Sequence, residues 1–105
     1  MGIGMQIVYL GFAGAASIEA AAAVQFVRLE RFGERISGCH LAVEAMHSET
    51  GPAYDVRLDL VTRNGELHPL PHCVSADPEL AIRAAFDRAV ETLAERDHSE
   101  AQPGT

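Results

Sequence analysis

Two groups of residues in this chain have types and spacings that could do chemistry. The stretch "VRLERFGER", residues 27 to 35, sets Arg28, Arg31 and Arg35 at steps of three and four, which on a helix return close to the same direction. Guanidiniums grouped in this way present forked donors that suit phosphate oxygens. The competing explanation is pairing on the helix itself, where Arg31 reaches Glu34 and an exposed pair contributes only about 0.3 to 0.5 kcal/mol. The second group is made of Cys39-His40 and "HPLPHC", residues 68 to 73, which combine the side chains zinc prefers. In an extended strand, however, His68 and His72 stand about 13 Å apart, too far to share one ion, and Cys39 faces the core. The spacing matches no standard finger or ribbon. No metal site and no cofactor are expected, and Cys39 and Cys73 read as small apolar core residues.

A third pattern is anionic. Asp87, Glu91 and Glu95 follow at four-residue intervals, a stripe that slightly destabilises its own helix and reads either as a solvated face or as a docking surface for a basic protein. No phosphate-cradling glycine loop, nucleophile elbow or mutually perturbing carboxylate pair occurs, so no enzyme is expected.

The whole chain sets the background for these groups. Its 105 residues suit one domain, and 48% hydrophobic with 22% charged residues is an ordinary globular balance. Eight basic residues against fifteen acidic ones leave a formal charge of −7, which opposes nonspecific binding to nucleic acid. All eight basic residues are arginine, a bias that genome composition explains as readily as selection for bidentate contacts. Two cysteines are too few for a disulfide framework and suit a reducing compartment, with a single bridge as the alternative. The apolar start, Met1 to Phe26, lacks a positive n-region and is interrupted by Glu19 and Gln25, so neither a signal peptide nor a membrane span is expected. Gln6 stands where a myristoylation signal wants Ser or Thr. The expected location is cytoplasmic.

The elements that must position these residues follow from periodicity. "MQIVYLGF", residues 5 to 12, reads as a mostly buried strand. Ser17 is a candidate helix cap, and Ile18, Ala22, Leu29 and Phe32 continue an apolar stripe up to a stop at Gly33. From Ile36 to Met46 the period becomes two, with Cys39, Leu41, Val43 and Ala45 on one face. Tyr54 to Arg63 alternates again. Asn64-Gly65 predicts a two-residue type I′ turn into a fourth strand that Pro69 and Pro71 restrict to a sheet edge. Asp77-Pro78 predicts a helix start, followed by the buried stripe Ile82, Phe86, Ala89 and Leu93. The order β-α-β-β-β-α implies an α+β two-layer sandwich, a four-stranded sheet with both helices on one face. The domain is expected over residues 5–96, with a flexible tail over 97–105.

With these elements in order, the sequence resembles the ribosome hibernation-promoting factor and ribosome-associated translation inhibitor family from Met5 to about Arg96. The resemblance rests on "MQI" opening the first strand, "FVRLERF" ending helix one, Asn64-Gly65, and Asp77 with Ala81-Ile82 opening helix two. It implies a noncatalytic short-form factor that responds to stress and binds the small ribosomal subunit through rRNA near the decoding channel, dampening translation or stabilising idle ribosomes. It further implies that Arg28 and Arg31 on helix one and Arg88 on helix two meet RNA phosphates; Arg35 joins them by the spacing above. The chain departs from the family at Glu19, Glu91 and Glu95, where basic residues are usual, and at Glu79, where tyrosine is frequent. Each missing phosphate contact lowers salt-dependent affinity. The alternative is an acidic module on the same fold that binds a basic protein through Asp87, Glu91 and Glu95. Because prolines blunt the fourth-strand edge, a monomer is expected.

Overall fold

The computed structural model describes the backbone of residues 2–100 and side chains as far as Glu95. The chain begins with β1 (Gly4–Leu10) and α1 (Ala16–Phe26), and a 3-10 segment, Val27–Phe32, continues directly from that helix. The long strands β2 (Ile36–Ser48) and β3 (Gly51–Thr62), the short strands β4 (Leu67–Pro69) and β5 (Cys73–Ser75), and α2 (Pro78–Glu100) complete it. The sheet runs β1-β2-β3, with β4 and β5 both paired to β3 as two pieces of the expected fourth strand. β1 is parallel to β2, as a strand reached through a helical crossover must be. The other pairings are antiparallel. The expected α+β architecture is the observed one. Of the tail expected at 97–105, residues 101–105 lie outside the described residues, while α2 runs to Glu100.

The core lies between the sheet and the helices. Cys39, Leu41 and Val43 of β2 and Val56, Leu58 and Leu60 of β3 are buried on the inward face. Ile18 and Ala22 of α1 and Ile82, Phe86, Ala89 and Leu93 of α2 cover them. Burying a side chain of the size of Phe86 or Leu93 contributes about 1.5 to 3 kcal/mol each. Ile36 joins this core although strict alternation from Cys39 points it outward. A register shift between Ile36 and Gly38 turns it in, which is what a bulge does.

Three local expectations are corrected. Ser17 is not the cap of α1. Ala15 is, in extended conformation, with its carbonyl accepting from the amides of Ile18 and Glu19, both at 3.1 Å. Just before this cap, Gly14, at φ +87°, packs under the Tyr9 ring, where a Cβ would come within 2.5 Å of it. The hairpin is not a two-residue type I′ turn, since that turn needs positive φ at both central residues and Asn64 is not in that region. Instead, Gly65 N–H donates to the Thr62 carbonyl and Thr62 N–H to the Glu66 carbonyl, closing a three-residue loop with Gly65 at φ +86°. Helix one also does not stay α-helical up to Gly33, because its last six residues tighten into the 3-10 segment.

Asp77 behaves as expected. Its Oδ1 accepts from Glu79 N–H at 2.9 Å, and Pro78 occupies the first helical position. β4 and β5 are separated by Leu70, Pro71 and His72, in which buried Leu70 still donates to the Leu58 carbonyl.

Candidate nucleic-acid interface

The 3-10 segment decides where the arginines go. With three residues per turn, positions i and i+3 eclipse, so Arg28 and Arg31 lie one above the other along the edge of that segment. With Val27 and with Val90 of α2 they line a hollow of about 360 Å³ between the two helical elements. Arg28 Nη1 is 2.7 Å from Gln25 Oε1 and 2.8 Å from Asp87 Oδ1, which clasps the first helical element to α2. Both partners of that ion pair remain half exposed. Arg31 lays its guanidinium over the Phe32 ring, 4.6 Å from the centroid, a cation–π contact that leaves the rim of the guanidinium facing water.

Arg35 is not on the helical face that the three- and four-residue steps imply. The helical segment ends at Phe32, so Arg35 lies in the turn before β2. Its Nη1 donates to the Leu93 carbonyl of α2 at 2.7 Å, and its guanidinium stands 6.0 Å from the Phe32 ring centroid. Arg88 is exposed on α2, on the flank that meets β5, close enough for its charge to pull the Cys73 thiol downward in pKa against the larger upward effect of burial. Arg28 and Arg31 therefore line one hollow, Arg31 and Arg35 share the Phe32 ring, and Arg88 lies on the flank of α2 near Cys73.

Sequence reasoning missed Arg63. Its Nε donates to the Gly33 carbonyl at 2.8 Å, and its backbone N–H to the Arg35 carbonyl at 3.2 Å. Arg63 and Arg31 line one hollow of about 530 Å³ with Glu30, Gly33 and Glu34. The only available signal was its place just before Asn64-Gly65, because the hairpin tip folds back against the end of the first helical element.

The acidic stripe is divided. Asp87 is taken up by Arg28, whereas Glu91 and Glu95 remain exposed on α2. Cys39 and Cys73 are free thiols. Burial pushes Cys39 up to about 12, consistent with a thiol that is kept protonated rather than a ligand or nucleophile. Among the described residues no group of three or more His, Cys, Asp or Glu side chains could hold a metal ion, and no helix is long and apolar enough to cross a membrane. Tyr54 and Phe12, both partly buried against the core, meet edge to face with centroids 5.6 Å apart, so neither offers an open stacking platform for a base.

No protein-family model matches the chain, and no curated protein sequence matches it. Solved structures do. A ribosomal subunit interface protein from Coxiella burnetii superposes with a TM-score of 0.72 at 12% identity, covering 90% of this chain and 97% of that one. The Protein Y N-terminal domain of Thermus thermophilus superposes with a TM-score of 0.59 at 19% identity, covering 90% and 98%. The chain thus has the fold of these two proteins over nearly its whole length, which is the fold its motif order implied.

Proposed function

We propose that this protein is a noncatalytic, cytoplasmic, ribosome-associated factor. It binds the small subunit through rRNA near the decoding channel and so dampens translation or stabilises idle ribosomes. The observation that carries this reading is the fold shared with a ribosomal subunit interface protein over 90% of the chain. Arg28 and Arg31 support it by lining one hollow along the edge between the helical elements, where Asp87 pairs with Arg28 and Glu30 and Glu34 stand beside Arg31. Arg63, beside Arg31, extends that edge. With no exposed aromatic side chain among the described residues, recognition rests on phosphate position and RNA shape.

The experiment is cosedimentation with purified small subunits across a salt series. Each phosphate contact contributes a slope of roughly −0.7 to −0.9 in log affinity against log salt. Arg31→Glu with Arg63→Glu should remove pelleting at low salt, and Arg31→Ala alone should flatten the slope by about one contact. Pelleting by the double variant at the wild-type level would sink the reading. The exposed Glu91 and Glu95 favour a second reading, a basic protein partner on the same fold; a pull-down that survives ribonuclease and is lost in Glu91→Lys, Glu95→Lys would select it.

A further inference from the structure

The sheet has two edges, and they are built differently. The β4/β5 edge is cut into two three-residue strands and carries Pro69 and Pro71, which cannot donate ladder hydrogen bonds. The β1 edge has no such guard. β1 pairs only with β2, and none of the described elements covers its other side. Its seven residues, "GMQIVYL", contain no proline and no charge. An unbroken strand of this kind displays a row of free N–H and C=O groups, which proteins ordinarily blunt with lysine, proline or a bulge.

Charge distribution supplies a second, independent argument. Of eight basic and fifteen acidic residues in the chain, only Glu19 falls within the first 27 positions. The fold gathers this uncharged quarter onto one side. α1 runs back along β1: Gly14 packs on Tyr9, Glu19 acts on Tyr9, and Phe26 lines a hollow with Gly2, Ile3 and Glu30, the carboxylate at its border. Beside this edge, Val8 and Leu10 are 51% and 45% exposed on the outer sheet face, and Ala20 and Ala23 are exposed on α1. Two molecules of charge −7 repel each other wherever their acidic surfaces meet, so this side is where self-approach costs least. Nucleic acid and anionic lipid find no arginine on β1 or α1, and a basic protein finds only Glu19 on those two elements, with Glu30 and Glu44 at their borders.

We propose that β1 pairs antiparallel with β1 of a second copy, fusing two sheets into one continuous sheet about a two-fold axis normal to it. Such an interface is self-complementary, as a two-fold contact must be. The axis keeps both helical layers on one face and lays the two α1 helices side by side, where alanines allow close approach. Seven residues of strand span roughly 23 Å. That edge alone provides less than the roughly 800 Å² per partner of a standard interface, so the dimer is concentration-dependent rather than permanent. It replaces the expectation of a monomer, which considered only the proline-guarded edge.

The test is analytical ultracentrifugation of the full 105-residue chain from micromolar to millimolar concentration. The expected result is a mass rising from 11.3 kDa to twice that value, with tighter association at higher salt because screening removes like-charge repulsion. Val8→Glu, which places like charges beside the two-fold axis, should hold the chain monomeric with an unchanged far-ultraviolet spectrum. Val74→Glu, at an equally exposed position on β5, should still dimerise. Hydrogen exchange on the wild type is the check that needs no variant, since alternate β1 amides should slow as concentration rises. A wild type that stays monomeric, β1 amides that ignore concentration, or a dimer dissolved by Val74→Glu and not by Val8→Glu would each overturn the proposal.

Discussion

Arg28 Nη1 and Asp87 Oδ1 stand 2.8 Å apart across the groove between the 3-10 segment and α2. This contact couples the arginine edge to the acidic stripe: the Arg28 guanidinium is held by one carboxylate of the stripe. Because both side chains are half exposed, solvent screens the pair, and a double-mutant cycle of Arg28→Ala and Asp87→Ala should give a coupling of only about 0.2 to 1 kcal/mol. On the proposed function, Asp87→Ala should tighten small-subunit binding by freeing Arg28, read as a rise in the pelleted fraction at fixed salt. Equal pelleting by wild type and Asp87→Ala would place Arg28 outside the interface.

Arg35 is predicted to serve stability more than binding. Its bond to the Leu93 carbonyl ties the turn before β2 to α2, and a hydrogen bond from a charged group contributes about 1.5 to 3 kcal/mol when partly shielded. Arg35→Met, which keeps the aliphatic stem, should lower the urea midpoint by that order. A midpoint unchanged within error would count against this role.

Gly38 faces Gly4 across the parallel β1–β2 pair, and a Cβ at Gly38 would stand 2.4 Å from the Gly4 carbonyl oxygen. Backbone cannot swing aside as a flexible side chain can. Gly38→Ala should therefore cost about 1 to 3 kcal/mol and loosen β1 first, seen as faster exchange of β1 amides. Gly51→Ala is the contrast: nothing lies within 4 Å of its added Cβ, so only its φ of +118° opposes the change.

Cys39 gives the chain an alkaline limit. Burial raises its thiol from 9.0 to about 12, so between those values the unfolded chain has lost a proton that the folded chain keeps. The stability this contributes is fully present below pH 9 and is lost as pH rises through 12. The urea midpoint of wild type should fall between pH 8 and pH 11 more steeply than that of Cys39→Ala, and iodoacetamide should label Cys73 before Cys39. Parallel pH profiles for the two proteins would contradict this.

Sequence alone determined the order of elements and the buried faces of β2, β3 and α2, because period two in Cys39–Ala45 and the spacing of Ile82, Phe86, Ala89 and Leu93 are direct consequences of strand and helix geometry. It misplaced β1, expected mostly buried, whose Val8 and Leu10 are 51% and 45% exposed because it forms a sheet edge with an open outer face. It also determined the start of α2, since the Asp77 carboxylate and the Pro78 ring act within two residues of each other. What it could not determine depends on contacts between segments far apart in the chain. Gly14 found its place under Tyr9, the 3-10 tightening set Arg28 and Arg31 along one hollow and cast Arg35 into the turn, and the hairpin carried Arg63 to Gly33, thirty residues away. A guanidinium on a long flexible stem takes its direction from whichever carboxylate, ring or carbonyl the tertiary structure places within reach, and local spacing holds no record of that choice.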